Sequence, residues 1–294
     1  EGMLAGIGII IVLKQIPHAL GFDKDYVGNE TLFEGGFNMS YFGDLFAAIH
    51  PGAIVVTLIS MGILLTWDNV PALKKLKMLP GALVAVIAGI LLNQLFLVTG
   101  SSLAISAEHL VTLPVPQTAE DFKNLVTMPS LSGFANPQVW IVGATIAIVA
   151  SDRLDEKRRI TDTNLELKAQ GIGNFLSSLI GGLPMTSVVV RSSANANAGA
   201  TSKASAIIHG VLLLVCALSI PFILNLIPLA TLAAVLILVG YKLAKPATFM
   251  HFWHNGKYQF IPFLATVLAV VFTDLLKGVG IGLVISIIYI LQGN

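Results

Sequence analysis

The sequence predicts an all-α protein that crosses a lipid bilayer many times. Hydrophobic residues fill 55% of its 294 positions and charged residues only 11%, against roughly 25% charged in a soluble domain. The chain is divided into charge-free apolar runs, several near the roughly 20 residues that cross a hydrocarbon core as a helix. The loops between the runs are sorted by sign, as they are in a protein with one fixed orientation in the membrane. Seventeen basic and 16 acidic residues cannot coat a soluble body of this size. A net charge of +1 offers nucleic acid no basic face, and a mean hydropathy of +0.84 excludes a disordered chain. The single cysteine, Cys216, excludes a disulfide framework or a cysteine metal cluster.

Taken in order, residues 2–13 are apolar and end at Lys14. They lack the basic leader and small-residue cleavage site of a signal peptide and read as a span. Residues 45–67 and 78–100 each hold one full span. Residues 138–150 are apolar but short, about 20 Å as a helix. Residues 169–190 are free of charge but rich in Gly and Ser. Residues 204–241 are too long for one span, and Asn225 and Pro228 divide them in two. Residues 258–273 and 278–291 form two more. The total is about ten membrane segments, several of them short or interrupted.

Most of the basic residues fall in three loops. Residues 68–77 carry Lys74, Lys75 and Lys77; residues 151–168 carry Arg153, Lys157, Arg158, Arg159 and Lys168; residues 241–257 carry Lys242, Lys245 and Lys257. The loops at 21–44 and 101–137 are acidic instead, with Asp23, Asp25, Glu30, Glu34 and Asp44 in the first and Glu108, Glu120 and Asp121 in the second. The positive-inside rule places the three basic loops in the cytoplasm and the two acidic ones outside.

An internal repeat is legible. Leu4, Ala5 and Lys14 stand 228 residues before Leu232, Ala233 and Lys242, and each set is followed by a Pro and two more spans. With Lys14 outside and Lys242 inside, the two copies are inverted in the membrane, a common transporter design.

The candidate site is the stretch from Gly181 to Asn195. Gly181, Gly182 and Pro184 interrupt an apolar segment at membrane depth, and residues 184–190 read as extended. Broken backbone at that depth is tolerated where it lines a cavity or is buried in protein. The start of a half-helix offers free N–H groups and a positive dipole end to an anion. Arg191 adds a fixed charge and a donor fork. Two plainer readings stay open: an Arg snorkelling to the interface, and an ordinary turn between helices. His209, inside an apolar helix, reads as an interhelical hydrogen-bonding residue. His50, Asn93 and Gln94 read as span ends, and Asp274 and Lys277 as solvated. The glycines at 278, 280 and 282 read as a helix-packing face, because no strand precedes them. No metal-ligand spacing and no nucleophile constellation is present, so an enzyme is not expected.

Two motifs carry a family resemblance. The run Asn164-Leu165-Glu166-Leu167-Lys168-Ala169-Gln170-Gly171-Ile172-Gly173-Asn174, followed by Gly181-Gly182-Leu183-Pro184-Met185-Thr186 and Arg191-Ser192-Ser193-Ala194-Asn195, resembles the SulP anion permeases. Leu4-Ala5-Gly6-Ile7-Gly8 through His18 looks like that family's fifth membrane segment, and the run from Ile227 to Ala234 like its twelfth. The resemblance implies part of a seven-plus-seven inverted-repeat fold. Segments five to seven would lie in residues 1–100, eight to eleven in 138–224 and twelve to fourteen in 225–294. The first and last groups belong to the gate domain and the middle group to the core domain. It implies an anion site on Thr186, Ser187, Val188, Val189 and Arg191, with the N–H groups of 187–189 as donors. It implies transport of an inorganic anion of the sulfate, bicarbonate or chloride class by rocking of core against gate, in a homodimer in a bacterial inner membrane.

The sequence departs from the family pattern in three places. Segments one to four are absent, no STAS domain follows Asn294, and the eighth segment is about ten residues short. The chain therefore reads as a fragment. No cofactor is expected, and a coupling Na⁺ or H⁺ has no assignable ligand, since Asp152 reads as cytoplasmic loop. The alternatives are a nucleobase permease of the same architecture and a non-transporting scaffold that dimerises through the gate helices.

Overall fold

The structure is a computed structural model that describes residues 2–23, 49–70, 80–113, 130, 132, 135–152, 163–185, 202, 204–273 and 275–293. The described residues are helical with no β-strand, and one isolated bridge pairs Leu110 with Pro228. The helices are α1 (Gly2–Leu20), α2 (Pro51–Asn69), α3 (Gly81–Val98), α4 (Pro137–Asp152), α5 (Thr163–Leu179), α6 (Ala204–Ser219), α7 (Pro221–Leu224), α8 (Leu229–Leu243), α9 (Pro246–His254), α10 (Lys257–Phe272) and α11 (Leu275–Gly293). The chain forms two compact units, one of residues 1–113 with 222–294 and the other of residues 114–221.

In the first unit α1 runs past Lys14 and through Pro17 to Leu20, farther than its apolar run. It packs on α8, and the two cross through glycine. A Cβ on Gly8 would lie 2.6 Å from the Gly240 carbonyl oxygen, and a Cβ on Gly240 would lie 2.6 Å from that of Gly8. Only a hydrogen fits at both positions, as in tightly crossed membrane helices. The pair is antiparallel. Gly8 meets residues 240–244, while Thr57 Oγ1 of α2 donates to both Ala19 O at 3.0 Å and Ala230 O at 3.3 Å.

The repeat is visible in this packing. Gly2, Ala5 and Gly6 are buried in α1, and the positions 228 residues later, Ala230, Ala233 and Ala234, are buried in α8. Exchanging the copies maps α1 on α8, α2 on α10 and α3 on α11. The helix pairs follow: α1 packs on α10 as α8 packs on α2, and α2 pairs with α3 as α10 pairs with α11. Lys14 and Lys242 therefore lie toward opposite ends of the unit.

Small residues set the other crossings too. A Cβ on Gly89 of α3 would strike Thr231 Oγ1 of α8, and one on Gly278 or Gly282 of α11 would strike Val270 or Thr266 of α10, whereas Gly280 meets nothing. The outer face of α3 exposes Leu83, Ile87, Leu91 and Leu95, a stripe at helical spacing that suits hydrocarbon. Thr66 and Thr99 bond their hydroxyls to the carbonyls four residues back, Gly62 at 2.6 Å and Leu95 at 2.8 Å, which hides the polar atoms within the helix. Asn93, in the last two turns of α3, is fully buried. Its amide accepts from Ile105 N at 2.9 Å and donates to Ile105 O at 3.4 Å, folding residues 101–106 back over α3.

In the second unit α4 has 16 residues, about 24 Å of rise, still shorter than a hydrocarbon core. α5 begins at Thr163, six residues before the charge-free run, and α6 exposes nearly all of its apolar side chains, Val211 to Leu214 among them. His209 is exposed on α6 and makes no hydrogen bond among the described residues, so the expected interhelical bond is not found. Asp274 lies outside the described residues, and Lys277 is exposed.

Candidate functional site

The site region starts where α5 stops. Gly181 has φ of 76°, the left-handed conformation that a Cβ disfavours. Gly182 N–H donates to Ser177 O at 2.8 Å and Gly181 N–H to Ser178 O at 3.2 Å. These are the two bonds of a Schellman cap, with Gly181 as the left-handed residue past the helix end. The second glycine is required for space, because a Cβ on Gly182 would strike Ser177. Pro184, which has no N–H, then keeps the chain extended.

Two α5 side chains hold the outgoing chain. Ser177 Oγ donates to Leu183 O at 3.2 Å. The Asn174 amide accepts from Met185 N–H at 2.5 Å and donates to Met185 O at 2.8 Å. Asn174 thus acts as a short piece of strand and fixes the backbone of residue 185 in both directions. One turn earlier on the same helix, Gln170 has both amide atoms buried with no hydrogen-bond partner among the described residues, where buried amides are ordinarily satisfied.

The predicted break at residues 181–184 is therefore real and has an identified mechanism. Residues 184 and 185 have no regular secondary structure. The predicted ligands Thr186, Ser187, Val188, Val189 and Arg191 all lie outside the described residues. Sequence reasoning quoted Gln170 and Asn174 within a motif but gave them no role. Their i, i+4 spacing puts both amides on one face of α5, and that was the available signal. The described residues contain no group of three or more side chains arranged to hold a metal ion.

A second polar centre lies in the first unit, where Asp23 accepts from both His18 and His109 with His50 beside them. It was missed because its members are scattered from residue 18 to residue 109.

Residues 1–266 match the Sulfate permease family. The protein YvdB of Bacillus subtilis (strain 168), named as a candidate sulfate transporter, is 26% identical over 99% of this chain and 53% of its own length. The bicarbonate transporter BicA of Synechocystis (strain PCC 6803) is 26% identical over 97% of this chain and 48% of its own. The chain spans about half the length of the curated relatives it matches. Among solved structures, the transmembrane domain of a cyanobacterial BicA superposes with a TM-score of 0.64 at 24% identity, covering 95% of this chain and 67% of that one. SLC26A9 superposes with a TM-score of 0.75 at 16% identity, covering 99% and 46%. Helical repeat, broken segment and sequence match converge: this integral membrane chain belongs to the sulfate permease family, whose members are transporters and not enzymes.

Proposed function

We propose that the whole protein is a secondary transporter of an inorganic anion of the sulfate, bicarbonate or chloride class. The observation that carries this reading is the Schellman-capped break after α5, clamped by Asn174, in a chain of the sulfate permease family. Backbone N–H donors suit an oxyanion better than a neutral base. In this reading the N–H groups of Ser187, Val188 and Val189 and the Thr186 hydroxyl hold the anion, and Arg191 supplies its countercharge. The unfilled amide of Gln170 joins the ligand set.

In this reading residues 138–224 are the moving core, and residues 1–100 with 225–294 are the gate. The reciprocal packing of α1 and α8 supports a gate that moves as one piece. The basic loops 68–77, 151–168 and 241–257 face the cytoplasm of a bacterial inner membrane. The positive-inside rule supports this, and the ends of α2 and α8 that lead into two of these loops lie at the same end of the first unit. The family resemblance supports a homodimer. The relatives reported above are named for sulfate and bicarbonate, and nothing among them favours a nucleobase.

Radiolabelled sulfate and bicarbonate uptake by the full-length protein in proteoliposomes tests the reading. Arg191→Ala is expected to reduce uptake by about tenfold or more, the loss of one charge-assisted contact. Unchanged uptake in that variant removes Arg191 from the site. Imposed Na⁺ and H⁺ gradients in the same assay test coupling, and uptake that ignores both points to exchange.

A further inference from the structure

At the Lys242 end of the first unit, α8 and α10 are joined through the nine-residue helix α9. One face of α9 is anchored. Phe249 meets the Phe263 ring of α10 edge to face at 5.1 Å between centroids, and Phe252 stacks on the same ring at 4.5 Å. These contacts join α9 to the core cluster of Ala5, Phe263 and Val267. Another face is left open among the described residues. Met250 is 62% exposed and Trp253, one turn on, is 66% exposed. The Trp253 ring is steadied edge-on by Phe260 at 4.9 Å.

Aromatic rings with a polar tip gather around this helix. Tyr241 in the last turn of α8 and Tyr258 in the first turn of α10 are both exposed, and the Tyr258 ring stands 6.2 Å from that of Tyr289 in α11. Such rings settle at the headgroup level of a bilayer. The local charge is of one sign along the chain. Lys242 and Lys245 precede α9 and Lys257 follows it, all three exposed, and no acidic residue occurs from Leu229 to Thr273. Asp68 lies in the last turn of α2 at the same end, and Lys74, Lys75 and Lys77 follow it in sequence. The two histidines of α9 are used locally. His251 Nε2 accepts from Asn255 Nδ2 at 3.1 Å, and His254 Nδ1 donates to Met250 O at 2.8 Å. The charge offered beside Trp253 is therefore that of the lysines.

We propose that α9, with Lys245 and Lys257 at its two ends, is a docking face for anionic phospholipids of the leaflet at this end. Met250 and Trp253 enter the boundary between headgroups and acyl chains, and the two ammonium groups hold lipid phosphates beside the helix. Exposed apolar and aromatic side chains between cations are the chemistry of a helix that lies on a membrane surface. An acidic protein segment would match the lysines but not an aromatic belt at headgroup depth. The bound lipids fix the depth of α9 and, through Phe249 and Phe252, hold the start of α10. Binding at this face does not depend on which anion the protein carries.

The test uses the full-length protein in phosphatidylcholine nanodiscs that contain an equal share of either brominated phosphatidylglycerol or brominated phosphatidylcholine. Bromine quenches nearby indole fluorescence, and the Trp253 signal is taken as the difference between the protein and its Trp253→Phe variant. Quenching by the brominated phosphatidylglycerol is expected to exceed that by the brominated phosphatidylcholine about twofold or more, well inside the preference that two lysines give a charged headgroup. Joint Lys245→Gln and Lys257→Gln substitution is expected to remove the excess and leave quenching by phosphatidylcholine unchanged, while Lys245→Arg with Lys257→Arg keeps the excess. In the unsubstituted protein, raising the salt from about 0.1 M to about 1 M is expected to shrink the excess, which keeps the test open if the glutamine variant does not insert. Equal quenching by the two lipids overturns the proposal, and so does an excess that survives both salt and the glutamine substitutions. Absence of quenching by either lipid overturns it too, and places protein or water over α9. Each result reads lipid contact alone, so loss of anion uptake leaves the outcome untouched.

Discussion

The two units treat glycine differently. In the first, Gly8, Gly240, Gly89 and Gly278 sit at helix crossings where a methyl group would collide with a neighbouring backbone or side chain. In the second, Gly143, Gly171 and Gly210 have nothing within 4 Å of a built Cβ, and the two informative glycines, Gly181 and Gly182, end a helix. The first unit is held by reciprocal packing between distant helices. The described part of the second is shaped by local capping bonds within a few turns of chain. A packed crossing fails as a whole when one position is overfilled, whereas a cap fails only where it stands. The gate and core roles proposed for these regions make the same demand, a rigid frame in one and a locally adjustable site in the other.

The largest effect is expected at the crossing. Gly8→Leu forces a side chain into the Gly240 carbonyl, and overpacking of this kind costs about 3 kcal/mol or more. Thermal unfolding in detergent is expected to show loss of the folded first unit. A melting temperature within a degree or so of the unsubstituted protein would mean that the crossing is not tight. Next, Asn174→Leu removes both bonds to Met185. Because the site is exposed, the cost is about 1 kcal/mol, too little to unfold the protein. The expected result is normal insertion, faster hydrogen exchange at 181–185 and reduced anion uptake. Normal uptake with freed residues 181–185 would separate the clamp from function.

A smaller effect is expected at His50. Burial, and then the neighbouring His109, push its pKa below the ordinary value of 6.5. Between 6.5 and that lower value the unfolded chain binds the proton and the folded chain does not, so stability is lost as the pH falls through this window. His50→Gln is expected to lessen the drop in melting temperature from about pH 7 to about pH 5. Identical drops would show that His50 carries no part of the acid response. The smallest change, and one of opposite sign, is Gly171→Ala in α5. With open space at that position it gains about 0.5 kcal/mol of helix propensity, seen as a slight rise in melting temperature. A fall instead would reveal a neighbour pressed against α5.

Much of the fold could be read before any helix was placed. The charge-free runs at 45–67 and 78–100 became α2 and α3, and Asn225 and Pro228 did divide the long run before α8. The repeat rested on a handful of matched residues, and the packing of α1 and α8 made it concrete. The helix break at Gly181 and Gly182 was equally legible, because left-handed backbone and loss of the Cβ are properties of single residues. Helix ends were less so. α1 continued through Lys14 and Pro17 to Leu20.

By itself the sequence determined that this chain is helical, lives in a bilayer and breaks after α5. These follow from composition and from residues near one another in the chain, and transfer into hydrocarbon depends on little else. Only the tertiary structure decided that Asp23 meets His109 from 86 residues away, that Asn93 carries the loop at Ile105, and that Gly8 answers Gly240. Such meetings depend on where helices cross, and the crossing points are set by the closest approach of two backbones, which no local pattern records.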